Sequence, residues 1–353
     1  MAVSTTRYEV TTVADDSAVL HEIPELSGSD APTVEVKRLD GLEPDTDYDI
    51  DGVALRTLSR PAGELLCRIA TVNDVHFGET EAGRIDDHPD GPIMRALPGE
   101  APYPETMNRA AAAEIAAIDP VAVIVKGDLS VDGRPEEFAA FEACYGEAFG
   151  DRLHVVRGNH DSYRHQDDYA GDAWIELPGV NIALVDTAIP GATTGSLSAT
   201  QLEWIEFHAA ESTEPVIVMG HHQQWIASEG GNRSDSYFGL HPDPSDALDE
   251  IAQRRASIIA YTAGHTHRHR LRSMTRSGVA SIEIGCTKDF PGTWAEYRVY
   301  ETGVMQVVHR ISDPAALSWS ARCRSLYRDF GIDYASYALG TLQDRCLVIG
   351  ERR

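Results

Sequence analysis

Lysine is nearly missing from this chain: it occurs only at positions 37, 126 and 288, and the remaining positive charge is arginine. With 30 basic against 56 acidic residues, the formal net charge is −26. That balance lacks the basic face a nucleic-acid groove needs, so no nucleic-acid partner is expected. The acidity is read as a solvated surface that keeps the protein dissolved. Cysteine is sparse and scattered. Cys67, Cys144, Cys286, Cys323 and Cys346 form no C-x-x-C pair, which argues against a thiolate metal site and for reduced thiols in a cytoplasmic protein. No apolar run approaches the ~20 residues that span a bilayer. The opening MAVSTTRYEVTTVADD shows no basic segment followed by an apolar one, so no secretory signal is read.

The 353 residues, 42% hydrophobic and 24% charged, suffice for a main domain with appendages and a sizeable core. Residues 1–62 carry short segments of β-type composition, "YEVTTVA", "AVLHEI", "TVEVKRL" and "YDIDGVALRTL", separated by turn-formers such as "PELSGSDAP". The run Leu42, Pro44, Thr46, Tyr48 resembles the tyrosine corner of a fibronectin type III-like sandwich, which implies a truncated module of that kind. From about residue 65 near-continuous apolar runs ending in polar residues alternate with helical stretches, the pattern of an α/β fold. The later runs "GVASIEIG", "WAEYRVYE" and "VMQVVHRI" follow one another without helices and predict an antiparallel part. Residues 312–353 read as a mostly helical extension. The expected division is therefore 1–62, 63–311 and 312–353, with both terminal segments serving packing or homo-oligomer formation.

Ligands of open α/β folds bind outside the carboxyl ends of the strands. Five strand ends here carry metal-ligand types: Asp74 and His76 in "NDVHFG", Asp128 in "VKGDLS", Asn159 and His160 in "RGNHD", His221 and His222 in "MGHHQ", and His265 and His267 in "AGHTH". An i, i+2 spacing in extended chain would point both members of a pair into one pocket. Each pair alone is commonplace, and a lone histidine is more often a satisfied core or surface group. All of them at the ends of one set of strands points to a shared site. Nitrogen and oxygen donors without sulfur suit Fe, Mn, Zn or Co. Even seven of these donors are too many for one tetrahedral ion but suit two ions sharing a carboxylate, an arrangement that activates water for in-line displacement at phosphorus.

The ordered set D-x-H, G-D, G-N-H-D, H and G-H-x-H over residues 68–270 resembles the calcineurin-like metallophosphoesterases. The resemblance implies a four-layer α/β/β/α sandwich with two mixed sheets, the late antiparallel strands belonging to the second. It implies one ion held by Asp74, His76, Asp128 and His267, and another by Asp128, Asn159, His221 and His265. His160 would bind no metal but donate a proton or hydrogen bond to the leaving-group oxygen, with Asp161 orienting it or a neighbour. Gln223 and Gln224 stand where the family often has proline, so whether His221 or His222 faces the metal stays open, His221 fitting better. "GDLSVDGRPEEFAAF" and "GSLSATQLEWIEFHAA" look most like class III cyclic-nucleotide phosphodiesterases and related glycerophosphodiesterases. The implied activity is hydrolysis of a small phosphodiester. The alternatives are a phosphomonoesterase and a non-catalytic scaffold of the same fold, the scaffold being disfavoured by the complete ligand set. Residues 79–107 form a long insertion directly after D-x-H, expected to line or lid the pocket.

Overall fold

The computed structural model describes residues 8–23, 32–85, 91–226 and 238–350. Part of the turn-rich stretch after residue 23 and residues 86–90 of the insertion lie outside them. Two six-stranded mixed sheets dominate. In the first, Leu65–Val72, Ala122–Lys126 and Leu153–Val156 run parallel, and Thr293–Tyr300, Gly303–Arg310 and Leu347–Ile349 extend the edge antiparallel. In the second, Val180–Leu184, Val216–Met219, Ile258–Ala263 and Ala280–Glu283 run parallel, flanked by antiparallel Ala173–Leu177 and Arg270–Ser273.

The late strands therefore do not form the second sheet together, as expected above. Thr293–Tyr300 and Gly303–Arg310 pair beside the first strand of the first sheet, whereas Ala280–Glu283 enters the second sheet parallel to Ile258–Ala263. The reason is the chain's route: the hairpin at Arg270–Ser273 turns Ala280–Glu283 back into the parallel direction without needing a helix.

Apolar side chains line both faces of both sheets. The facing surfaces interdigitate through Ile69, Ile124, Tyr297 and Val308 from one sheet and Ile182, Leu184, Met219 and Ala260 from the other. On the outer face of the first sheet, Met107, Ala111 and Ile115 of helix Tyr103–Ala117 pack with Phe138 and Phe141 of Pro135–Phe141 and with Trp319 of Pro314–Arg322. On the second, Ile205 of Ala199–Glu211 and Leu248 and Ile251 of Pro242–Arg254 do the same. The layers are thus helix, sheet, sheet, helix. Helix Tyr103–Ala117 starts inside the expected insertion, because Pro104 sits in its first turn, where a missing N–H costs nothing.

The described residues among the first 60 form a three-stranded antiparallel sheet, Tyr8–Val13, Ser17–Glu22 and Val36–Asp40, and a hairpin, Asp47–Ile50 with Val53–Arg56. The Glu43 N–H donates to the Tyr48 hydroxyl at 2.8 Å, closing the corner before the hairpin. Thr12 Oγ1 donates to the Val308 carbonyl at 2.7 Å, and Arg345 donates to the carbonyls of Thr11 and Val10. The terminal segments are thereby tied to the same sheet edge.

His21 lies wholly buried at this junction, its Nδ1 2.7 Å from Thr11 Oγ1. Burial, reinforced by Arg310 and Arg38, lowers its pKa to about 2. The unfolded chain binds a proton near pH 6.5 that the folded one refuses, so stability present above that pH is lost as the pH falls. Urea titrations at pH 7 and pH 5 should show about 2 kcal/mol more acid loss for wild type than for His21→Asn, at ~1.4 kcal/mol per pH unit below 6.5. Equal losses would mean that the buried imidazole carries none of the pH dependence.

Candidate metal centre

The parallel strands of both sheets end at one rim. Asp74 and His76 follow Leu65–Val72, Asp128 follows Ala122–Lys126, Asn159 and His160 follow Leu153–Val156, His221 follows Val216–Met219, and His265 and His267 follow Ile258–Ala263. All the side chains singled out at these strand ends come together. The His76 Nε2 is 3.4 Å and the His221 Nε2 3.2 Å from Asp128 Oδ2. The Asn159 Oδ1 is 3.1 Å from His221 Nε2, and the His267 Nε2 is 3.4 Å from Asp74 Oδ1. Ligand atoms of Asp74, His76 and His267 lie within 4.8 Å of one another, as do those of Asp74, Asp128 and His221.

The convergence does not come from strand alternation. Asp74, His76, Asp128, His265 and His267 have φ of 52°, 45°, 53°, 68° and 54°. Both members of each i, i+2 pair thus occupy the left-handed region, in turns beyond the strand ends. Such backbone costs about 1–2 kcal/mol per residue. Five of the eleven non-glycine residues with positive φ among the described residues fall at this one site, which marks where the fold tolerates strain. Two glycines make the approach feasible. A Cβ on Gly158 would stand 2.2 Å from Asp128 Oδ1, and one on Gly127 would stand 2.5 Å from His221 Nδ1.

Hydrogen bonds fix the orientation of the donors. The His221 Nδ1 is 2.8 Å from the Lys126 carbonyl. A carbonyl only accepts, so Nδ1 carries a proton and Nε2 is the nitrogen turned toward Asp128 and Asn159. Burial opposes charging this ring, but Asp128 raises its pKa to about 9, so a bound ion would have to displace the Nε2 proton. Asn159 Nδ2 donates to the Tyr163 hydroxyl at 2.6 Å, which turns Oδ1 toward His221. The His160 Nδ1 is 2.7 Å from the Val131 carbonyl, leaving its Nε2 to exchange a proton at the cavity. Asp161 does not orient that ring. Its carboxylate accepts from the N–H groups of Leu129, Ser130 and Gly158 and from Ser130 Oγ, at 2.7–3.1 Å. It ties the Asp128 turn to the Asn159 turn. The acceptor sites of a carboxylate are used up by four donors, which is why the ring turns to a backbone carbonyl instead.

The residues fit metal ions. Both ring nitrogens of His76 and the Nε2 of His265 are buried and have no hydrogen-bond partner among the described residues, a cost of about 1–3 kcal/mol each; an ion would remove it for one nitrogen of each ring. Burial holds the pKa of His76 and His265 below the usual histidine range, which keeps lone pairs available. Burial opposes ionisation of Asp74, yet His267 brings its pKa down to about 2. Asp128 is likewise held well below the usual range, burial being overcome by His221 and His160. Cys286 lies near His267 and Asp289, but burial pushes its thiol well up and it donates to Asp289 at 3.0 Å, so it stays protonated.

His222 lies nearer than expected. Its ligand nitrogen falls within 4.8 Å of those of His221 and His265, while Nδ1 is 2.8 Å from Thr187 Oγ1. His221 alone of the two adjoins Asp128 and Asn159. The family model for calcineurin-like phosphoesterases matches residues 67–269. The chain belongs to that family. Members of this family use dinuclear metal centres. A segment of 154 residues is 26% identical to a probable cyclic nucleotide phosphodiesterase of Synechococcus, covering 42% of this chain and 58% of that protein. Another, of 118 residues, is 25% identical to a probable cyclic nucleotide phosphodiesterase of Psychrobacter arcticus, covering 32% and 38%. The matched part thus spans less than two thirds of either relative. A dimetal phosphatase from Danio rerio shares the fold, with a TM-score of 0.54 and 15% identity over 71% of this chain and 98% of that one.

Three residues at the centre escaped sequence reasoning. Lys288 Nζ is 2.6 Å from Glu79 Oε2 and 2.9 Å from Asp289 Oδ2; Lys288 and Asp289 are buried and Glu79 is mostly so. Glu79 Oε1 is 3.9 Å from His76 Nδ1, and Asp289 lies within 4.8 Å of the His267 ligand atom. The signal was present in the scarcity of lysine: of three lysines, Lys126 and Lys288 are buried beside the centre. No helix among the described residues is long and apolar enough to cross a membrane.

Proposed function

We propose that the chain is a metal-dependent phosphodiesterase acting on small phosphodiesters of the cyclic-nucleotide or glycerophosphodiester type. Asp74, His76, Asp128 and His267 would hold one ion and Asp128, Asn159, His221 and His265 the other, with iron, manganese or zinc suited to the donor set. When bound, the ions would supply charge to neutralise the phosphoryl oxygens and water activated for attack. The observation that carries this reading is the convergence of seven nitrogen and oxygen donors, three of their ring nitrogens buried without partners, beside an imidazole held by a carbonyl.

In this reading His160 gives a proton through Nε2 to the departing oxygen, its ring fixed by Val131. Asp161 keeps the Asp128 and Asn159 turns in register. Residues 63–311 carry the chemistry, 1–62 form a fibronectin-like brace, and 312–353 close the site.

Metal content and hydrolysis should be measured on wild type, Asn159→Ala and His160→Ala with cyclic nucleotides, glycerophosphodiesters, a phosphomonoester and a p-nitrophenyl diester. His160→Ala is expected to keep its ions and to slow esters with alkoxide leaving groups by about 10²–10⁴-fold. The p-nitrophenyl diester should suffer far less, because its leaving group needs no proton. Asn159→Ala should lose an ion and most activity; unchanged turnover and metal content would refute the assignment.

A further inference from the structure

The centre forms the floor of a cavity of about 410 Å³, in which Asp128, Asn159, His160, His265 and His267 are exposed to the interior. Volumes of this order hold a small organic ligand. Its wall is different in kind: Ile85, Phe238, Tyr327, Ile332, Tyr334 and Tyr337. Eight large hydrophobic side chains are exposed among the described residues, and four of them, Ile85, Phe238, Ile332 and Tyr337, line this one cavity. Exposed apolar groups gathered beside a polar site mark a binding groove. A phosphoryl group uses only the floor, so the wall serves the organic part of the ester.

The rings of the wall are held in place. The Tyr337 hydroxyl donates to the Thr266 carbonyl at 3.1 Å, one residue from His267. The Arg268 guanidinium lies 5.1 Å from the Tyr337 ring centre, and the Tyr334 ring lies 6.1 Å away at 24°. Phe238 lies 4.2 Å from the His265 ring at 31°. Ordered aromatic faces favour a flat, polarisable partner over a flexible or hydrated one.

We propose that Tyr337 and Ile332 of the C-terminal segment, together with Phe238, form a subsite that selects phosphoesters carrying a flat aromatic group such as a nucleobase. The proposal rests on the phosphoesterase reading above and favours the nucleotide over the glycerol class of ester. A glycerol moiety presents hydroxyls to this wall and would leave it uncovered. The segment that closes the site is thus also a specificity element.

Non-hydrolysable probes separate the two readings: methylphosphonate, hexylphosphonate and phenylphosphonate, bound to manganese-loaded protein and followed by calorimetry. Wild type should bind phenylphosphonate at least ten-fold more tightly than methylphosphonate and several-fold more tightly than hexylphosphonate. The phenyl-to-methyl ratio should fall toward one in Tyr337→Ala and Phe238→Ala and survive in Tyr337→Phe. A wild-type ratio near one, equal binding of the hexyl and phenyl probes, or a ratio unmoved in both alanine variants would overturn the subsite while leaving the phosphoesterase reading intact. Failure of all three probes to bind would defeat both.

Discussion

Asp128→Asn is expected to lower kcat/KM for a diester by at least ~10³-fold, about 4 kcal/mol of transition-state stabilisation, and to reduce bound metal from two ions per chain to one or none. Asp128 Oδ2 stands between His76 and His221, at 3.4 and 3.2 Å, while Oδ1 accepts the His160 N–H at 3.0 Å. One carboxylate therefore touches both halves of the donor set and the turn that carries the proposed acid. Asparagine keeps the shape but offers one oxygen and loses the charge, so it can serve one side only. Metal analysis with steady-state kinetics on the folded variant, checked by circular dichroism, decides the point. Two retained ions with near-normal turnover would remove Asp128 from its bridging position.

The strand ends were legible because their chemistry is costly. Buried carboxylates and imidazoles must have partners, so Asp74, Asp128 and the histidines stood out after apolar runs even without coordinates. The backbone that aims them was not legible. Left-handed φ at Asp74, His76 and Asp128 depends on hydrogen bonds from distant turns, such as the Val75 and His76 N–H groups to the Asp128 carbonyl, and no local propensity encodes those. The same limit applies to Asp161. Adjacency to His160 suggested a partnership, yet the four donors that claim its carboxylate come from residues up to 32 positions away.

Strand direction was the other blind spot. An apolar run states burial but not sense. "GVASIEIG" reads as antiparallel because no helix precedes it, and an antiparallel strand would end away from the ligand rim. In the fold Ala280–Glu283 runs parallel to Ile258–Ala263, which carries its continuation, Cys286 to Asp289, to the same rim as the histidines. Nothing in the sequence assigns a face to the aromatic residues of 312–353. Tyr327, Tyr334 and Tyr337 line the cavity because Pro314–Arg322 packs on the first sheet and returns the chain past the centre.

That sixth strand end leads to a second large effect, on stability. Lys288→Met should destabilise the protein by about 3–5 kcal/mol, the cost of removing one partner from a buried ion cluster. Burial alone would strip Lys288 of its proton, but Asp289 and Glu79 hold its pKa well above the ordinary value, so it stays charged. Those two carboxylates, in turn, have pKa values held down chiefly by Lys288 against the effect of burial. Methionine fills the volume and leaves one buried and one mostly buried negative charge facing His267 and His76. The carboxylates rather than the lost lysine carry the penalty, so the triple variant Glu79→Gln, Lys288→Met, Asp289→Asn should recover most of the loss. Urea unfolding in the presence of EDTA separates this folding term from ion binding. A single variant as stable as wild type, or a triple variant no better than the single one, would show that the cluster is not a coupled charge balance. The expected recovery would instead establish that the rare lysine is kept to neutralise the two acids backing one side of the metal centre.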